Sequence, residues 1–191
     1  IKKIKFFFYW KNLSSFSDIH DELSGLLKRQ VVAEIIDRFK NDAELNKWAQ
    51  HGFELHKNKN EKDKCLFCQS KLSEGFLQSL SKHFSNDYKK LQADIPSFIQ
   101  ELSVLKMEKI AEKNLELYVD LQGNYKDRAR KLNNEVSELN AWIDAATKKL
   151  GEKHDSPLSI VEAPNSPKDF KKSYDKAADE QNATIANHNS K

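Results

Sequence analysis

The chain has two cysteines, Cys65 and Cys68, and both lie in the stretch DKCLFCQS, residues 63–70. A two-residue spacer lets both sulfurs point at one metal ion, and backbone N–H groups of the turn soften the thiolate charge. Zinc takes four ligands and binds cysteine as thiolate, so this pair reads as half of a zinc knuckle, with Zn2+ as the expected cofactor. Two completions stay open. His56 and His83 supply the other ligands in cis, giving His-x8-Cys-x2-Cys-x14-His, or a second copy of the chain brings its own Cys65 and Cys68 and one ion staples a homodimer. A thioredoxin-type redox pair needs the first cysteine at a helix N-terminus after a strand, and nothing nearby has that pattern.

The residues around the pair read as its support. Trp48 and Phe67 flank it in sequence and are expected to pack as a dry aromatic lid. The run HKNKNEKDK offers Lys57, Lys59, Lys62 and Lys64 as a weak contact for nucleic acid, though Asn, Glu and Asp dilute its charge. His20, His51, His154 and His188 read as ordinary exposed histidines. There is no G-x-x-x-x-G-K-[ST] phosphate loop, no G-x-S-x-G and no H-E-x-x-H, and five scattered glycines do not build a phosphate cradle. By itself, this chain is expected not to be an enzyme.

The elements that position the knuckle read as helices, and the expected fold class is all-α. Five Gly and four Pro in 191 residues leave too few turns for a sheet-rich fold. The net charge of +3 is too small to imply nucleic acid as a partner. No apolar run approaches a membrane span, and two cysteines in a Lys-rich chain fit a reducing cytoplasm. The start at Ile1 is expected to mark a fragment of a longer protein.

Residues 1–52 read as an N-terminal helical segment. Its apolar residues from Leu23 to Trp48 mostly recur at gaps of three or four, capped near Ser17 or Asp18, with a break at Asn41-Asp42 and a stop at Gly52. Residues 53–72 read as the knuckle loop, which includes His56. Residues 73–153 read as a long antiparallel coiled-coil hairpin with one arm over 73–106, kinked or restarted at Pro96, and the other over 113–153. The second arm carries the heptad seam Tyr125, Ala129, Leu132, Val136, Leu139, Ile143, Ala146 and Leu150. Residues 154–166 form a Pro-rich linker, and 167–191 a last helix started by Pro167.

The order Trp48, Gly52, the ELH ending at His56, CLFCQ at 65–69, Leu72, LSKHFSNDYKKL with Phe84 and Tyr88, and the closing NATIANHN resembles a known insert. It is that of the RloC- and PrrC-like bacterial anticodon-nuclease ABC-type ATPases. The resemblance spans roughly residues 27–189, with 45–90 the distinctive part; residues 1–26 find no counterpart. Gln69 directly follows Cys68, where the family often has Gly-Gln. The resemblance implies a parent protein with a split ATPase head binding ATP and Mg2+, and a tRNA-cutting part acting in phage defence. It also likens the Cys-x-x-Cys to the zinc hook of DNA-repair ATPases, which favours the interchain site and a role in joining two heads. None of the ATPase or nuclease motifs lies in this chain, so no catalytic residue carries over. A rival expectation is a zinc-stabilised helical module that binds tRNA or DNA.

Overall fold

The computed structural model describes residues 16–31, 34, 36–40, 42–57, 64–73, 75–113, 116–166 and 170–191. They form seven helices and no strand: α1 Phe16–Lys28, α2 Asp37–Lys40, α3 Ala43–Lys57, α4 Phe76–His83, α5 Asn86–Val104, α6 Val119–Asp155 and α7 Phe170–Ser190. Residues 1–15 of the expected N-terminal segment and the expected helix start at 167–169 lie outside the described residues. The chain folds into two units that interleave in sequence. Of the described residues, one holds those within 16–24, 101–148 and 163–191, the other those within 25–100 and 149–162.

In the first unit, α6 is the central element. Every residue of its heptad seam is buried, because apolar side chains at that spacing share one face of the helix. The buried stripe is wider than a two-helix seam, since Leu121, Asn133 and Trp142 are buried as well. Three elements cover it. The α7 helix runs antiparallel to α6, for Lys191 pairs with Asp120, Arg128 Nη1 donates to Thr184 Oγ1 at 2.7 Å, and Lys131 faces Glu180. At the other end, Phe16 of α1 meets Trp142 edge-on at 4.7 Å and Phe170 at 5.8 Å.

The third element replaces part of an expected helix. The first hairpin arm is expected to be helical to residue 106 and the second to begin at Lys113, but α5 ends at Val104 and α6 starts at Val119. Residues 106–112 instead run extended and antiparallel along α6. Asn140 accepts from the Met107 N–H at 3.1 Å and donates to its carbonyl at 2.8 Å. Asn133 does the same for Ile110, at 2.9 Å both ways. Lys106 pairs with Asp144 and Arg130 with Glu112. Ile110 packs on the buried cluster of Leu117, Tyr125, Ala129 and Ile185. His188, expected to be exposed, is buried there: the Tyr118 N–H donates to its Nδ1 at 3.4 Å.

In the second unit the long helix expected from residue 18 ends at Lys28. Distant donors meet the carbonyls at its end, the Val161 N–H on Leu27 at 3.2 Å and the Lys153 ammonium on Arg29, just past the helix, at 2.8 Å. Lys153 is fully buried and also donates to the Ser159 carbonyl, so its charge is met by backbone oxygens. Burial nevertheless holds its pKa below the usual lysine value, with the nearby Arg29 charge adding to the effect. Asp42 caps α3 by accepting the Leu45 N–H at 2.8 Å. Gly52 does not stop that helix, which runs on to Lys57. The expected single arm from residue 73 is two helices, with Ser85 Oγ accepting the Tyr88 N–H as α5 begins. That helix then continues through Pro96.

Candidate metal knuckle

Residues 64–71 close on themselves. Lys64 and Lys71 face each other across an isolated antiparallel bridge, the Cys65 N–H donates to the Ser70 carbonyl at 2.8 Å, and the Gln69 N–H donates to the Cys65 carbonyl at 2.9 Å. This turn holds both thiols at its rim, Cys65 half-buried and Cys68 exposed. The Ser70 side chain, then its backbone, then the Cys65 side chain hydrogen-bond to the Cys68 sulfur, and together they lower its thiol pKa. The thiolate form needed for a metal is therefore favoured.

Closing the turn requires Gln69 at φ 62°, the only positive φ on a non-glycine among the described residues. A side chain in the left-handed region costs about 1 kcal/mol. Gln69→Gly is expected to slow hydrogen exchange of the Cys65 and Gln69 amides about fivefold, read by mass spectrometry or NMR. Unchanged exchange would show that the turn carries no strain.

His56 sits in the last turn of α3 rather than in a loop. Its Nδ1–H donates to the Gly52 carbonyl at 2.7 Å, and its Nε2 accepts the Leu66 N–H at 3.0 Å. The histidine thus ties the knuckle to the helix, with both ring nitrogens occupied. His83 is fully buried in the second unit, where Nδ1 accepts the Ile36 N–H at 3.2 Å and Nε2 donates to Asn46 Oδ1 at 2.9 Å. Both of its nitrogens are also taken. Among the described residues no three His, Cys, Asp or Glu side chains gather to hold a metal. The donor set fits zinc in kind, two thiols at the rim of one turn, and supplies two of four ligands.

The aromatic lid is not there. Phe67 is 91% exposed and Trp48 69%, so neither covers the sulfurs. Trp48 and Leu55, seven residues apart on α3, point away from the face that buries Asn46, Ala49 and Phe53. Of the lysines singled out for nucleic acid, Lys57 and Lys64 are exposed, and Lys59 and Lys62 lie outside the described residues. Sequence reasoning missed Lys71, Ser70 and Leu55. The signal for the first two is their place just past the second cysteine, where a closing turn brings them back to the first.

The family model for the AAA domain matches residues 5–191. The chain belongs to this AAA-domain family. That is an ATPase-associated family, also found among SMC-like coiled-coil proteins, and a helical chain is compatible with an ATPase-related coiled-coil segment. No curated protein and no solved structure matches this AAA-domain chain. None of its described helices is long and apolar enough to cross a membrane.

Proposed function

We propose that the chain is a zinc-binding helical insert of an ATP-dependent anticodon (tRNA) nuclease-type defence protein. Its role is structural and regulatory: Cys65 and Cys68 of two copies share one zinc ion and bring two ATPase heads together. One observation carries the reading, a closed turn with two thiols at its rim, Cys65 half-buried and Cys68 exposed, and no third ligand beside them among the described residues. The occupied nitrogens of His56 and His83 favour the interchain site over ligation in cis. ATPase-family membership supports the heads; the anticodon nuclease rests on the likeness of residues 45–90. The chain performs no chemistry itself. Zinc bound by four thiolates has no open position and serves as a staple.

Zinc content measured together with native mass tests this. The expected result is one zinc per two chains in a dimer, and loss of both metal and dimer in the Cys65→Ser/Cys68→Ser variant. One zinc per chain in a monomer would assign His56 or another donor of the same chain as ligand. A folded, metal-free wild type would end the zinc reading.

A further inference from the structure

Residues 106–112 are held on α6 in the way a bound peptide is held. Asn140 and Asn133 each engage the N–H and the carbonyl of one residue, Met107 and Ile110, so they grip backbone and are indifferent to the side chains around it. One side chain is an anchor: Ile110 packs on Leu117, Tyr125, Ala129 and Ile185. Charge fixes the two ends and the direction. Asp144 pairs with Lys106 at the start, and Arg130 Nε meets Glu112 at 2.9 Å at the finish. The remainder faces water: Glu108, Lys109 and Ala111 are exposed, and none of the segment's side chains is fully buried. A segment that serves only as a connector gains most by burying its own apolar side chains. This one is secured through backbone groups, which any extended chain offers. Lys, Met, Glu and Ala are strong helix formers, so α6 imposes the extended form against local preference.

We propose that the face of α6 between Asp144 and Arg130 is a peptide-binding site, occupied by residues 106–112 as an internal ligand, and that its outside ligand is an extended segment of another protein carrying a basic residue, an aliphatic residue four positions later and an acid two positions after that. This is the pattern of Lys106, Ile110 and Glu112. Main-chain hydrogen bonds give such a site affinity, and the anchor with its flanking charges gives selectivity. The lengths agree. From Arg130 to Asp144 the helix rises about 21 Å, and from Lys106 to Glu112 an extended chain advances about 20 Å, so one straight segment reaches both charges and both asparagines.

An outside segment competes with one already tethered. It binds once residues 106–112 lift off, and its apparent affinity is reduced by the fraction of chains in which they have done so. The internal ligand therefore sets a threshold that a weak partner does not cross, and a bound partner releases the connector between α5 and α6. The site is made wholly of the first unit's residues and stands whether or not the chain binds zinc.

The test is fluorescence anisotropy with a labelled synthetic peptide of residues 105–113, LKMEKIAEK, added to the full chain in EDTA so that no zinc-held dimer forms. Two variants open the site from the internal ligand's side and leave α6 intact. Ile110→Ser removes the anchor, and Lys106→Glu/Glu112→Lys sets like charges against Asp144 and Arg130. The second pair alters exposed side chains alone, and circular dichroism checks that both variants keep their helices. The expected result is that the peptide binds both variants and binds the wild type about 30-fold more weakly. Adding Asn133→Ala/Asn140→Ala to either variant should abolish binding. A peptide with the Ile110→Ser change should bind about tenfold more weakly, and one with Glu108→Ser/Lys109→Ser should match the parent peptide. If the peptide binds neither variant, or binds as well without the asparagines, the proposal is overturned. If the wild type in EDTA sediments as a dimer that Asn133→Ala/Asn140→Ala loses, the occupant is the same segment of a second copy, and the proposal of an outside protein is overturned.

Discussion

Replacing His83 with alanine is expected to lower the unfolding free energy by about 3 kcal/mol, enough to take a large fraction of the stability of a domain this size. The imidazole is the hinge of a buried polar chain. It accepts the Ile36 N–H and donates to Asn46 Oδ1; Asn46 Nδ2 in turn donates to the Tyr88 hydroxyl at 2.8 Å. Around it stand Phe84 at 4.6 Å, edge-on, and Phe39 at 5.4 Å. Alanine strands the Asn46 carbonyl oxygen and the Ile36 amide and opens a void among these rings. His83→Gln, which keeps a donor and an acceptor, should lose about half as much. Urea unfolding followed by circular dichroism measures all three proteins.

The same residue sets a pH dependence. Burial pushes the His83 pKa below the ordinary imidazole value, against a smaller upward pull from the Glu34 backbone. Below about pH 6.5 the unfolded chain takes up a proton that the folded chain refuses, so stability falls as the pH drops toward the lowered folded value. Above pH 6.5 both states are neutral and the effect vanishes. His83→Ala should remove this part of the acid slope, so the gap between wild type and variant narrows from pH 7.5 to 5.5. A gap that stays constant would mean His83 titrates freely in the fold. Tyr88, whose pKa burial raises, stays neutral across this range.

What the sequence discloses depends on how local the cause is. The seam from Tyr125 to Leu150 is legible because burial of one helical face needs only spacing, and all eight residues are buried. The Cys-x-x-Cys turn is legible for the same reason, since its hydrogen bonds close within residues 65–70. The end of α1 is not, because the carbonyls of Leu27 and of Arg29 just past it are claimed by Val161 and Lys153, far along the chain. His83 looks like a histidine that turns back to the cysteines until Ile36 and Asn46 are seen to hold it. The missing lid is a third case. Phe67 and Trp48 are near the thiols in sequence, but coverage depends on where α3 directs its faces, and α3 spends its inward face on Ala49 and Phe53. The partner of the seam was legible in direction only: residues 106–112 do run antiparallel to α6, as extended chain, while α7 supplies a helical neighbour.

That extended segment gives the second large effect. Asn133→Ala/Asn140→Ala is expected to cost about 3 kcal/mol, roughly half from each residue. Seven residues of helix advance about 10 Å, and three residues of extended chain advance about the same. Two asparagines a heptad apart therefore meet Met107 and Ile110 in register, and each engages both backbone groups of its residue. They do for this chain what a neighbouring strand does in a sheet. Without them the N–H and carbonyl of Ile110 lose their partners while its side chain is still held against Leu117 and Tyr125. Hydrogen exchange resolves the two clamps separately: Asn133→Ala should speed exchange at the Ile110 amide about tenfold and leave Met107 nearly unchanged, and Asn140→Ala should do the reverse. The double variant should expose both amides and bring residues 106–112 to the exchange rate of free chain. If Ile110 keeps its protection in Asn133→Ala, packing rather than the amide pairing holds the segment on α6.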